Sequence, residues 1–329
     1  MSPLKWLLIK QLKRSGVKQK ASGFTLIELL VAIILAFLII TPLLGFMISI
    51  LDNDRKEQAK TTTEQELKTA LDYISRDLQQ AVYIYDADGI AAIRNQLPKS
   101  AQKDNYFPVL VFWKRQYIPA GLTVGSGTDD TFVYSLVAYY LINGDDSNNI
   151  WSQASRIGRF QISDGYGQTA SDKTSTRDTG FKLFDLSDEG TLKQKMNKWT
   201  NNGAATQQIL PLVDYVDQTT TGTTTNPAPT CPSFPDPAST TNPPATIQPQ
   251  LVPQFSGSGD AVATNNVKTR GFYVCVDSDR TVAEVYIRGN SLARLQSNNL
   301  DFNKDNTSVA AYYPQVSTRV RGIGLLFTK

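Results

Sequence analysis

The chain has 329 residues, 33 Lys+Arg, 30 Asp+Glu, two cysteines and no histidine. The missing histidine excludes Ser-His-Asp and Cys-His catalysis, His-ligated zinc and haem, and a histidine pH switch. Two cysteines cannot complete a four-cysteine zinc site or hold an iron–sulfur cluster alone. The length leaves room for a sizeable core.

Charge is distributed unevenly. Lys5, Lys10, Lys13, Arg14, Lys18 and Lys20 give residues 1–23 a charge of +6 with no acid. The other 306 residues hold 27 basic and 30 acidic side chains, or −3. Phe24 to Leu51 follows, 28 residues with Glu28 as their one charge. As a helix this stretch would run about 42 Å, enough to cross a hydrocarbon core of roughly 30 Å with some tilt. Basic residues before the span, and Asp52, Asp54 and Glu57 after it, predict a cytoplasmic N-terminus with the bulk of the chain outside.

Three readings compete for this segment. A secretory signal peptide has a shorter apolar region with a small-residue cleavage site after it, and no A-x-A site follows here. A plain uncleaved anchor leaves Glu28 unexplained, because a carboxylate within the bilayer costs about 2.5–3.5 kcal/mol by insertion scales. The third reading uses every odd feature. Gly23-Phe24-Thr25-Leu26-Ile27-Glu28, behind its basic leader, resembles the processing site of type IV prepilins and pseudopilins.

The resemblance implies roles for particular residues. A prepilin peptidase would cut between Gly23 and Phe24 on the cytoplasmic side, then methylate the Phe24 amine. Gly23 lacks a side chain, which lets a protease approach its backbone closely. Glu28, the fifth mature residue, would pair with the N-terminal amine of a neighbouring subunit. A cationic partner offsets the cost of a lone carboxylate in an apolar bundle. Pro42 and Gly45 lie in the second half of the span. Pro42 removes a backbone donor, which predicts a kink or a melted turn near residues 38–45.

Beyond the span, residues 52–85 contain no Gly or Pro. Leu67, Leu71, Ile74, Leu78 and Val82 recur at spacings of 4, 3, 4 and 4. That is one apolar stripe on an amphipathic helix, with Asp86-Ala-Asp-Gly89 as its stop. The stripe is too short for a coiled-coil seam and predicts packing on the chain's own sheet. One helix would then be half membrane span and half spine of a head domain.

Strands are expected at Pro108–Tyr117, Thr131–Ile142 and Ile157–Ile162. An antiparallel hairpin is expected from residues 270–277 and 282–288, and a last strand at 318–327 with its basic residues facing one way. Residues 185–199 read as a short helix. The fold class is α+β, a long N-terminal helix against a mostly antiparallel sheet. The division is leader 1–23, membrane and assembly helix 24–51, and extracytoplasmic head 52–329. Within the head, residues 217–250 are rich in Thr, Pro and Asn and read as a long exposed loop. Outside the cytoplasm Cys231 in that loop and Cys275 in a strand are expected to pair.

Chemistry-bearing motifs are sparse. Asp301-Phe-Asn303-Lys-Asp305-Asn306 resembles the opening of a calcium loop, but Tyr312 stands where the closing Glu belongs, so an Asx-rich turn is the better reading. Asp145, Asp146 and Asn149 form a similar turn. Trp151, Tyr312 and Tyr313 have the chemistry to stack on sugars, although packing is their default. Arg156, Arg159, Arg319 and Arg321 are a candidate basic patch with nothing to link it to nucleic acid. No metal or cofactor is implied, and no enzyme motif is found.

The chain is therefore similar to a minor pilin or pseudopilin, a structural subunit of a type IV pilus or a type II secretion-like pseudopilus. The partners this implies are other pilin or pseudopilin subunits, the prepilin peptidase/methyltransferase, the inner-membrane assembly platform and membrane lipid. Residues 67–85 resemble those of larger J- or W-type minor subunits. Together with the Phe112-Trp113-Lys114-Arg115 strand, they are similar to the hormogonium polysaccharide secretion pseudopilins of filamentous cyanobacteria. That resemblance implies polysaccharide secretion coupled to motility. The alternative is a pilus-displayed adhesin or glycan-binding module.

Overall fold

The structure is a computed structural model. It describes residues 23–102, 105–143, 150–219, 224–227, 229–236, 239–254, 271–298 and 300–324. The basic leader as far as Ser22, the Asp145–Asn149 turn and residues 325–327 of the expected last strand lie outside the described residues. The chain divides into two compact units, Met1–Asp54 and Arg55–Lys329.

In the first unit, helix α1 (Leu26–Gln79) begins. Every large apolar side chain from Phe24 to Leu51 is exposed, from 47% at Val31 to 86% at Leu26. A helix that is apolar on all faces and unburied suits lipid or other helices, not water. Residues 38–45 are helical throughout, so no turn is melted at Pro42. Pro42 still carries no N–H, which deprives the Leu38 carbonyl of its helical donor. Thr41 Oγ1 donates to Phe37 O at 2.8 Å, a back-bond that favours local bending.

In the second unit, α1 buries Ala59, Thr63, Leu67, Ala70, Leu71, Ile74, Asp77 and Leu78. The predicted stripe is thus the packed face. The helix ends at Gln79, however, and Val82 belongs to strand β1 (Ala81–Ile84). The run Ala-Val-Tyr-Ile-Tyr is rich in β-branched and aromatic residues, and pairing of Tyr83 with Trp113 and Ile84 with Phe112 outweighs helical continuation.

Strand β1 is the edge of a five-stranded antiparallel sheet with β2 (Tyr106–Val124), β3 (Gly127–Ile142), β4 (Ser155–Ser163) and β5 (Leu210–Val216), in that order. A short helix α2 (Ala87–Ile93) follows β1, with Asp86 as its N-cap accepting from Gly89 N. Helix α3 (Ala170–Thr176) lies between β4 and β5. The second sheet contains β8 (Gln250–Val252), β9 (Phe272–Asp277), β10 (Val282–Arg288) and β11 (Gln315–Arg321), in the order β11-β10-β9-β8. The predicted hairpin is β9–β10, in register from Phe272↔Ile287 to Asp277↔Val282. Arg319 and Arg321 both lie on the exposed face of β11.

Over Phe107–Trp113 the first sheet is buried on both faces, which explains why this half of β2 is continuously apolar instead of alternating, while its second half is largely exposed. Lys114 reaches α1 on one face. On the other, the Trp113 ring meets Phe181, Phe184 and Trp199 edge-on, with centroids 5.0–5.8 Å apart. This contact corrects the expectation of a helix over 185–199. Only α4 (Leu192–Met196) is helical, because the segment must drape Phe184 and Trp199 over the sheet.

The Thr/Pro-rich segment is likewise not a uniformly exposed loop. Asp217, Thr219 and Asn226 are buried. Arg288 Nε donates to Asp217 Oδ2 at 2.7 Å, and Arg288 Nη2 donates to Asn226 Oδ1 at 3.1 Å. A small ribbon of β6 (Phe234–Pro235) and β7 (Thr246–Ile247) follows. Asp217 N donates to Arg288 O, and a bridge between Val216 and Gly289 joins the two sheets. A Cβ on Gly289 would come within 2.7 Å of Leu67 and Thr63, so this crossing needs glycine's lack of a side chain.

The central polar element is Asp77, on the last turns of α1. Its carboxylate accepts from Lys114 Nζ at 2.8 Å, Arg159 Nε at 2.7 Å and Tyr139 Oη at 2.6 Å. These donors stand on β2, β4 and β3, and Tyr139 faces Arg159 directly in register. Burial alone would raise the Asp77 pKa. Arg159 and Lys114 outweigh it and hold the carboxyl below its ordinary 3.8. Burial and the neighbouring carboxylate push the Tyr139 phenol up, so it remains a neutral donor. Removing the carboxylate strands a buried lysine and a half-buried arginine. Asp77→Ala should therefore lose about 3–5 kcal/mol of stability in chemical denaturation. Because its folded pKa is depressed, Asp77 stabilises the head above its unfolded value, and that share fades as pH falls below 3.8. The acid loss of stability should be shallower in Asp77→Asn than in the parent.

Candidate functional site

The sequence concentrates its candidate functional residues at the start of α1. Gly23, Phe24 and Thr25 precede the helix in non-helical backbone, and Phe24 is 84% exposed. The scissile bond implied by the resemblance therefore lies in an accessible, unstructured approach to the helix. A Cβ at Gly23 would meet nothing within 4 Å, so its lack of a side chain leaves open space on that side.

Thr25 and Glu28 form a reciprocal cap. Glu28 N donates to Thr25 Oγ1 at 3.2 Å, while Thr25 N donates to Glu28 Oε2 at 3.1 Å. The Thr25 hydroxyl also donates to Glu28 Oε2 at 3.2 Å. This is a capping box. It satisfies two backbone donors that a helix start leaves orphaned, and it places a carboxylate where the helix dipole favours negative charge. The signal in sequence is Thr-x-x-Glu ahead of an apolar run, so Glu28 is not only a cost within the span. Only Oε2 is engaged. Among the described residues Glu28 Oε1 makes no hydrogen bond, so the carboxylate retains an acceptor for a cation from outside this chain.

Further along, Pro42 and Gly45 are both on exposed, helical backbone, and a Cβ at Gly45 would meet nothing within 4 Å. Cys231 and Cys275 are bonded, with Cα atoms 5.6 Å apart. Their bridge fastens the Thr/Pro-rich segment to β9. Closing a loop of 44 residues contributes on the order of 4 kcal/mol by chain-entropy arithmetic.

The remaining candidates resolve into structural roles or separate. Asn306 caps helix α5 (Thr307–Ala310), and Asn303 Oδ1 accepts from Asp305 N, so the Asp301 segment is an Asx turn. Among the described residues no three acids or cysteines cluster as metal ligands. Tyr313 is buried and donates to Leu300 O, which removes it from any sugar platform. Lys60 Nζ sits 4.6 Å from the Tyr312 ring. Arg159 is spent on Asp77 and Arg319 on Glu284, on different sheets, so the four arginines do not make one patch.

A family model described as the prokaryotic N-terminal methylation motif matches residues 18–44. This match supports the resemblance of the N-terminal segment to type IV pilin-like proteins. No curated protein and no solved structure matches the chain. A long apolar helix followed by antiparallel sheets agrees with the expected α+β class. Helix α1 is also the one helix among the described residues long and apolar enough to cross a membrane.

The cap is directly testable. Thr25→Ala removes the hydroxyl that holds Glu28 N–H, a loss of about 1 kcal/mol. In detergent micelles, hydrogen exchange at the Glu28 amide should accelerate by about fivefold. An unchanged rate would show that the cap does not protect this turn.

Proposed function

We propose that the chain is a minor pilin or pseudopilin, made as a precursor in the inner membrane and assembled into a type IV pilus or type II secretion-like pseudopilus. The observation that carries this is the methylation motif over residues 18–44, which runs into an apolar helical segment exposed from Leu26 to Leu51, whose Glu28 keeps a free carboxylate oxygen. The +6 leader holds the N-terminus in the cytoplasm. A prepilin peptidase/methyltransferase cuts after Gly23 and methylates Phe24.

The new amine is cationic, and Glu28 of a neighbouring subunit supplies the counter-charge from Oε1 while Oε2 stays in the cap. In lipid this pairing sets register among otherwise featureless apolar helices. The inner-membrane assembly platform then draws the subunit from the bilayer, leaving residues 52–329 outside. The head formed by residues 52–329 is bulky for a position repeated along a filament, which favours a minor subunit. Its work is secretion or motility through that filament, with polysaccharide as the exported material under the pseudopilin reading. The chain acts as a structural subunit, not an enzyme.

Mass spectrometry of the chain recovered from membranes should find an N-terminal peptide beginning at methylated Phe24. Intact Met1, or a cut elsewhere, overturns the proposal. Glu28→Ala should still be cut but enter sheared filaments about tenfold less, the factor that ~1.4 kcal/mol represents. Undiminished incorporation would remove Glu28 from assembly.

A further inference from the structure

A cleft of about 700 Å³ opens in the second unit between α1 and β5. Three aromatic rings line it, each from a different element: Tyr73 from α1, Trp151 from the approach to β4, and Tyr215 from β5. Tyr73 and Trp151 are 46% and 40% exposed. Each ring has an arginine over it. Arg159 lies 5.6 Å from the Tyr73 centroid, Arg156 5.7 Å from Trp151, and Arg294 3.8 Å from Tyr215. Arg159 is fixed in turn by Asp77, and Arg294 by Glu66.

The backbone next to Trp151 is pinned as well. Ser152 N and Oγ both donate to Asp214, at 2.8 and 2.7 Å. Asp214 also accepts from Tyr215 N, and Tyr215 holds a φ of +56°, a costly conformation for a bulky side chain. Exposed aromatic surface is thus supported by ion pairs, hydrogen bonds and a strained residue, where an unused patch would need no such support.

Between the rings stand uncommitted polar groups. The Thr62 hydroxyl and the Gln65 carboxamide line the cleft and donate and accept on its α1 wall. An entirely apolar occupant, such as a lipid tail or the apolar face of a second copy, would bury these groups without partners. A sugar ring presents both chemistries. Its C–H faces pack on aromatic rings, and its hydroxyls need donors and acceptors at the edge. The charged side chains that line the cleft are the carboxylates Glu66 and Asp214, and of the arginines over the rings Arg159 is held by Asp77 and Arg294 by Glu66, so the lining disfavours an anionic sugar. The volume falls within the range of small-molecule sites.

We infer that the Tyr73–Trp151–Tyr215 cleft binds a neutral saccharide. This assignment is independent of the N-terminal motif and extends beyond the assembly role. The test uses the full chain in lipid nanodiscs, since maltoside detergents would occupy the site. Cello-, malto- and N-acetylchito-hexaose are titrated, with hexagalacturonate as the charged comparison. At least one neutral hexasaccharide should bind. Trp151→Ala and Tyr73→Ala, made separately, should each weaken it about tenfold, while Tyr117→Ala, an equally exposed aromatic on β2, should not. Trp151→Phe should restore most of the binding if the ring face is what counts. Binding of none of the three neutral probes overturns the inference, as does binding that both cleft variants leave unchanged. Tighter binding of hexagalacturonate overturns the assignment to a neutral sugar.

Discussion

A single buried carboxylate organises the head. Asp77 gathers a lysine, an arginine and a tyrosine from three neighbouring strands onto the end of α1. Apolar packing of Leu67, Leu71, Ile74 and Leu78 supplies most of the adhesion between helix and sheet, but it is tolerant of sliding. The Asp77 cluster is not tolerant, because a shift of the helix would strand charges that have left water. Two further ion pairs do similar work: Arg288–Asp217 holds the second sheet to the end of the first, and Arg294–Glu66 ties α1 to the segment after β10.

How legible this was in the sequence depends on the range of each interaction. The apolar stripe, the antiparallel hairpin and the stretch from Phe24 to Leu51 follow from local pattern and were readable. The end of α1 was not, because Val82–Tyr85 suits either state and only pairing with Phe112 and Trp113 decides it. The segment 185–199 has helical composition, yet Phe184 and Trp199 are taken by the buried Trp113. Asp77 itself looked like one more charge on a polar helix face. Its partners lie 37 to 82 residues away in sequence, and no periodicity announces them.

The candidate site was more legible than the fold. Gly23, Phe24 and Glu28 stand in a motif that sequence comparison matches, and Thr25 completes a cap whose spacing was already visible. The structure changes the physical account of Glu28. It is not an unsatisfied charge awaiting rescue, since its own helix start satisfies half of it. Under the proposed function the other half is what assembly would use, so the same residue would both begin the helix and offer a point of attachment. The aromatic cleft was only partly visible. Trp151 stood out, but Tyr73 lies on a helix with many polar neighbours and Tyr215 on a strand, β5, that no sequence pattern announced.

The account turns on residues 24–51 being an assembly element as well as an anchor. The most direct test places a photocrosslinker at Leu35, which is 55% exposed midway along that stretch, in cells that make the filament. The account predicts adducts with the apolar N-terminal helix of another processed subunit. Adducts with lipid alone would contradict it and leave the segment a plain anchor.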